Sequence, residues 1–597
     1  MAKRNTFGVD ENLETPFNIK HLLRAGKYIK RHGLKMFIAL IMASVSAVVA
    51  LFIPKISQWV LDDAVPNKNY SYLLRLLLIY VGILAGSILL NVIRARLMAH
   101  AAQGIIYDIR EDLFAHLQKL PFTYYDSRPT GKILVRVVNY VNSVADILSN
   151  GILNMVMECI TLILVAIFMF GTDVKLAFVI VAGLPIFVGW ILLIKPRQRR
   201  AWQAQSNKAS NFNAYLAESL DGSKVSELFA RQGANVGTCK ELLAACRKTW
   251  MDAIYISNSV WLFSVILTQV VSTFLYLTGV YWYGGGLIVS FGILSAMSQY
   301  ASRFWAPITN LANIYNSFIN NIAYLERIFE TMDEPITIDD APDAVELPEV
   351  KGEVTFDHVT FGYEEGIHVL EDINFHINPG ESIALVGQTG SGKTTIVNLI
   401  SRFYDLNGGA VLLDGKYDVS KVTLKSLRDQ MGIMMQDSFI FTGTIRDNIR
   451  YGKLDATQEE IERAAKAVCA HDFIEQMDNG YDTAVSERGG RLSQGQKQLI
   501  SFARTLLSDP KILILDEATS SIDTKTEKLL QNGIDVLMKG RTSFIVAHRL
   551  STIRKCDRIF FIGNKQILEA GSHEELMAKH GLYYQLYTTQ MGKRDSE

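Results

Sequence analysis

Gly387-Gln388-Thr389-Gly390-Ser391-Gly392-Lys393-Thr394 puts three glycines, a lysine and a terminal hydroxyl into eight residues. It stands directly after the apolar run Ile383 to Val386 and before the helical stretch Thr395 to Ile400. Between a buried strand and a helix, that spacing is chemistry for phosphate. Glycines let backbone N–H groups curl around phosphate oxygens, the helix N-terminus adds a favourable dipole, Lys393 neutralises charge, and the Thr394 hydroxyl is a ligand for Mg2+.

A second apolar run, Ile512-Leu513-Ile514-Leu515, ends in Asp516-Glu517. An acid at the carboxyl end of a parallel strand lies beside such a phosphate loop, so Asp516 is placed to hold the Mg2+ shell and Glu517 to polarise an attacking water. Loop and acid pair together point to hydrolysis of a nucleoside triphosphate.

These groups need a sheet to hold them. Val354, Phe356, Val359 and Phe361, then Ile383 to Val386, Ile512 to Leu515 and Ser543 to Val546, read as short strands separated by charged helical segments, the pattern of an α/β crossover sheet. The domain is expected over 351–597. Before it, Asp333 to Glu349 holds seven acids, Pro335, Pro342 and Pro348, and no lysine or arginine, which marks a linker over 331–350.

The first half is different in kind. Met36 to Pro54, Leu76 to Ile93, Cys159 to Thr172 and Leu176 to Ile194 carry no charge, and Ala253 to Ser302 is uncharged for 50 residues, broken by Gly284-Gly285-Gly286. About 20 apolar residues cross a bilayer as a helix, so the last interval reads as two spans. With the third span begun near Gly151, and so including Glu158, the total is six, in an all-α transmembrane domain over 36–330 that follows a segment 1–35. Lys20, Arg24, Lys27, Lys30, Arg31 and Lys35 precede the first span, and the loops after spans two and four are rich in lysine and arginine, whereas the other turns are nearly bare. Both termini are therefore expected in the cytoplasm, with the two basic loops helical and reaching into it. The first span reads as a retained anchor rather than a cleaved signal.

Composition removes several classes. Lys and Arg number 60 against 60 Asp and Glu, so no basic field attracts nucleic acid. Cys159, Cys239, Cys246, Cys469 and Cys556 are scattered and odd in number, which excludes a disulfide framework, a zinc knuckle and a C-x-x-C redox site.

Leu492-Ser493-Gln494-Gly495-Gln496, 20 residues before Asp516, resembles the signature motif of ATP-binding cassette (ABC) proteins. The order of phosphate loop, signature, acid pair and the later His548 is similar to a complete ABC nucleotide-binding domain. Six spans followed by one such domain resembles the half-transporter of an ABC exporter. The resemblance implies ATP and Mg2+ as ligands. It implies adenine stacking on Tyr363, a Mg2+-sensing role for Gln436, contact with the opposite subunit at Ser521-Ile522-Asp523, a γ-phosphate switch at His548, and a link to the membrane loops at Ser486-Glu487-Arg488-Gly489. Ser493, Gln494, Gly495 and Gln496 would meet the nucleotide held by the phosphate loop of the other subunit, and Thr395, just after that loop, would bind the nucleotide with it. Gln494 stands where glycine is usual.

One set of these motifs per chain implies a dimer, with an identical chain or a sister subunit. Regions Leu120 to Asp126 and Asn213 to Leu220 are similar to the coupling helices of exporters. The expected activity is ATP-driven export of an amphipathic, drug-like, lipid-like or peptide cargo across a bacterial-type cytoplasmic membrane. The absence of a peptidase segment ahead of the spans argues against a leader-cleaving peptide exporter. The alternative is a membrane ATPase that regulates a partner or gates a channel without pumping. Glu158 and Arg303 are charges at or near membrane depth, which either mark a cavity or a polar cargo contact or else both sit near interfaces or pair within the bundle. Tyr281-Trp282-Tyr283 reads as an interfacial aromatic belt.

Overall fold

A computed structural model describes residues 19–128, 130–283, 290–364, 366–435, 438–486, 489–516, 524–546 and 550–594. The chain divides into two compact units, Met1–Gln118 with Pro129–Glu334, and Lys119–Arg128 with Pro335–Glu597.

The first unit is helical. Five helical stretches are long and apolar enough to cross a membrane: Leu23–Ala64, Tyr70–Leu117, Ile133–Thr172, Val174–Asp221 and Gln232–Gly279. Almost none of the most apolar window of the second is buried, with Leu77, Leu78, Ile79 and Leu89 all exposed, the inverse of a soluble core and the natural face of a helix in lipid. The third runs unbroken through Glu158, as its shortened apolar run required. A further long helix, Phe291–Met332, corresponds to the sixth expected span but is not among the five. It carries Arg303 and a series of asparagines, Asn310, Asn313, Asn316, Asn320 and Asn321, which lower its apolarity. The triple-glycine turn lies outside the described residues.

Side chains pin this bundle. Tyr300 donates its hydroxyl to the Leu51 carbonyl at 3.0 Å, where the first helix is interrupted, and Phe187 meets Trp305 edge-on at 5.6 Å. At the basic end, Tyr28 donates to Asp112 (2.9 Å) and Arg31 pairs with Asp108 (3.2 Å), tying the first helix to the second. At the other end Asp62 accepts from the Ser290 hydroxyl and from the Gly292 N–H (2.9 Å), capping the helix Phe291–Met332.

Asn213 to Leu220 does not form a separate coupling helix. It makes the last turns of the helix Leu184–Asp221, and the chain reverses through Gly222 into the short helix Ser223–Leu228.

The second unit holds a six-stranded sheet in the order Gln566–Gly571, Arg558–Gly563, Ser382–Val386, Thr542–Val546, Ile512–Asp516, Met431–Met434. All neighbours are parallel except the first pair. The central strands are buried on both faces: Ile512 and Ile514 pack into one apolar cluster while Leu513 and Leu515 pack into the other. That explains their continuous rather than alternating apolar character. An antiparallel sheet containing Val354–Phe361 and Leu370–Ile377 packs alongside. The acidic stretch Asp333 to Glu349 forms no helix, and its Asp340 accepts from the Leu424 N–H at 2.7 Å.

The short helix Phe122–Asp126, from the first basic loop, belongs to this second unit. Phe122 lies 4.7 Å from Phe403, and Tyr404 donates a 2.5 Å hydrogen bond to Asp126.

Candidate nucleotide site

Parallel pairing puts the chemistry on one edge. Val546 aligns with both Leu385 and Asp516, so three adjacent strands end together. From that edge the loop Gly387–Thr394 begins, and there Asp516 sits; ligands of open parallel sheets bind at this carboxyl end. Glu517 and His548 follow these strands but lie outside the described residues, as do Gln436, Glu487, Arg488, Ser521, Ile522 and Asp523.

The loop has the backbone that phosphate binding demands. Gly387, Gly390 and Gly392 adopt φ of 148°, 83° and 102°, a region that side chains disfavour. At Gly387 a Cβ would stand 2.3 Å from the Ile562 carbonyl oxygen, so glycine is required by space as well as by angle. Gly392 caps the helix Lys393–Ile400, which begins two residues earlier than expected. Gln388, Thr389, Gly390 and Thr394 are exposed, while Thr395 is buried.

Lys393 is buried, and its ammonium donates to the Gly387 (3.0 Å) and Gln388 (2.8 Å) carbonyls. An ammonium has three donors, so one remains for a phosphate oxygen. Burial pushes its pKa below the ordinary lysine value, and the Asp516 carboxylate acts in the opposite direction. Ser391 Oγ is buried with no hydrogen-bond partner among the described residues. An orphaned hydroxyl inside a glycine-lined cradle fits a group rich in acceptor oxygens, as a triphosphate is.

Tyr363 is exposed, with its hydroxyl 3.1 Å from Thr395 Oγ1 and its ring edge-on to Phe361 and Tyr404, each at 5.0 Å. An open aromatic face fixed beside the phosphate loop is what a base stacks on. Tyr404, absent from the expected site, fixes this platform. Burial, reinforced by its bond to Asp126, raises the Tyr404 hydroxyl above the ordinary tyrosine range. Its only sequence signal is the aromatic pair Phe403-Tyr404 just after the loop's helix.

The signature residues form a helix start. Ser493 caps the helix Gln494–Leu507 and accepts from the Gln496 N–H at 3.3 Å, while the Gln496 side-chain oxygen accepts from the Ser493 N–H at 2.9 Å. Gln496 is thus engaged in a capping box, Gly495 is buried, and Ser493 and Gln494 remain exposed at the positive end of a helix dipole.

Among the described residues no group of three or more His, Cys, Asp or Glu could hold a metal. A Mg2+ that takes one or two protein ligands and completes its shell from phosphates and water fits Thr394 and Asp516.

In the membrane unit, Glu158 and Arg303 both pair within the bundle, and Glu158 also lines a cavity. Arg303 donates to the Ala50 carbonyl at 3.1 Å, an interaction within the bundle. Glu158 accepts from Asn310 at 2.8 Å and lines a cavity. Tyr281 is exposed. All five cysteines are free thiols.

Residues 36–308 match the ABC transporter transmembrane region, and 370–520 match the ABC transporter domain. An uncharacterized ABC transporter ATP-binding protein of Bacillus subtilis is 38% identical over 99% of this chain and 98% of its own. A probable multidrug resistance ABC transporter ATP-binding/permease protein of the same organism is 37% identical over 87% of this chain and 77% of its own. The structure of a bacterial Atm1-family ABC exporter with ATP bound superposes with a TM-score of 0.76 at 27% identity, covering 94% of this chain and 98% of that one.

Proposed function

The chain belongs to the ABC transporter family, an integral membrane ATPase coupled to transport, and on that premise we propose that it is one half of a dimeric exporter that moves an amphipathic, drug-like, lipid-like or peptide cargo out across the cytoplasmic membrane. The helix Phe291–Met332 serves as the sixth span and both termini lie in the cytoplasm.

One observation carries the dimer: each chain offers one phosphate cradle with donors to spare and one exposed, capped signature helix. ATP held by the Gly387–Thr394 loop of one subunit, with adenine on Tyr363, meets Ser493 and the Gly495 backbone of the other. Val225, Leu228 and Phe229, exposed beside the turn at Gly222, add an apolar tip for a second subunit to cover.

Mg2+ held by Thr394, Asp516 and Gln436 supplies charge neutralisation. Lys393 holds the phosphates, Glu517 orients and deprotonates the attacking water, and His548 contacts the terminal phosphate. Closure needs the charge match across the two subunits, and hydrolysis removes it. The helix Phe122–Asp126 carries that change toward the membrane helices.

The test is uptake of cargo into inverted vesicles containing this chain, driven by ATP and lost in Glu517→Gln. ATP hydrolysis without any cargo movement or cargo stimulation would overturn the exporter reading.

A further inference from the structure

Four helices of the membrane unit line an open cavity of about 540 Å³, within the range of about 300–1,000 Å³ typical of small-molecule sites. The first helix contributes the small side chains Ala43, Ala47 and Ala50, one turn apart, so nothing bulky fills the space. The other three face it with Asn91 and Arg94, with Asn154 and Glu158, and with Asn310 and Asn313.

A cavity for apolar drugs would be lined by aromatic and aliphatic groups; this one has no aromatic residue in its lining and sets four amides and one charge of each sign beside the alanines, Met157 and Ile314. Among the described residues Glu158 is held by a neutral amide, Asn310, and by no cation. Arg94 makes no ion pair among the described residues, and its Nε–H is buried without a hydrogen-bond partner among them. Asn91 spends both amide hydrogens on Ser46 (3.1 Å) and the Ser87 carbonyl (2.9 Å), leaving its oxygen as acceptor. A buried guanidinium N–H with no partner is costly, and charged groups lining a space between membrane helices mark polar cargo paths.

We infer that this cavity takes a zwitterionic cargo, its anionic end on Arg94, its cationic end on Glu158 and its amide or hydroxyl groups among the asparagines. This rests on the exporter reading and narrows it: a free-ended short peptide or a zwitterionic lipid headgroup supplies the chemistry, and a greasy monocation does not.

Equilibrium binding without nucleotide tests it. Tritiated triglycine, its N-acetylated form and its C-terminal amide are offered to the full-length chain in phosphatidylglycerol nanodiscs. A parallel arm compares capture of phosphatidylethanolamine with capture of phosphatidylglycerol. The free-ended form should bind at least about tenfold more tightly than either capped form, the scale of one charge-assisted contact.

Arg94→Gln should erase the preference for the carboxylate end and Glu158→Gln the preference for the amine end. A misfolded variant would instead lose all forms together, in which case Arg94→Lys and Glu158→Asp, which keep the charges, should restore the preferences. If charge preference appears in the lipid arm alone, the cargo is a headgroup. No zwitterion preference in either arm, or a preference indifferent to both substitutions, overturns the inference. Failure of the exporter reading shows separately, as ATP-driven uptake that never occurs.

Discussion

Tyr404 and Asp126, 278 positions apart, share a 2.5 Å hydrogen bond, and the same tyrosine ring stands edge-on to Tyr363 at 5.0 Å. The proposed adenine platform and the loop helix Phe122–Asp126 are therefore one residue apart in space. Tyr404 touches both.

Tyr404→Phe keeps the ring and deletes the bond. ATP affinity should stay within about twofold, while cargo-stimulated hydrolysis falls about fivefold, equivalent to about 1 kcal/mol of coupling. Because the hydroxyl is raised above its ordinary value, the contact is intact below the unfolded pKa of about 10 and is lost only as pH rises through the folded one. The Tyr404→Phe effect should thus be flat across the neutral range. Wild-type stimulation in both Tyr404→Phe and Asp126→Asn would remove the pair from coupling.

Lys393→Ala and Glu517→Gln should separate binding from chemistry. The first deletes a charged phosphate donor and should weaken ATP binding by about ten- to a hundredfold. The second should leave ATP binding intact and slow hydrolysis by about a hundredfold or more, the usual loss for a positioned general base. Nucleotide titration and single-turnover hydrolysis report the two effects, and unimpaired turnover in Glu517→Gln would strip Glu517 of that role.

Ser493 serves its own helix and, by proposal, the neighbouring subunit. Ser493→Ala should lower the stability of the nucleotide unit by about 1 kcal/mol through the lost cap. Ser493→Asp preserves a cap but sets a negative charge against phosphate, so thermal stability should hold while ATPase activity collapses. Equal activity in Ser493→Asp and wild type would confine this serine to capping.

Gly387→Ala combines a φ of 148° with a Cβ 2.3 Å from a backbone oxygen. The neighbour is strand backbone of Arg558–Gly563 and has little room to yield, so a loss of about 2 kcal/mol or more is expected in denaturant unfolding. Wild-type stability would show that the loop can move away from Ile562.

Much of this was legible in the residues themselves. Glycine spacing, an apolar strand ending in acids, and uncharged runs of bilayer length are local signals, because phosphate cradles and lipid-spanning helices are each built from one continuous segment. Helix ends were harder: Asn213 to Leu220 read as a coupling helix, yet Gly222 places the turn beyond it. Glu158 and Arg303 both pair within the bundle, but sequence, which does not report how a helix is rotated, did not name their partners.

Residue type and order alone thus determined the class of chemistry, the two-part organisation and the membrane character of the first half. Tertiary packing decided which side chains meet: Tyr404 with Asp126, and Arg94, Glu158 and Asn310 around one cavity. Those contacts join positions tens to hundreds of residues apart, and they depend on how helices are rotated and offset against one another. Hydrophobic period constrains that rotation only loosely when a helix is apolar on nearly every side.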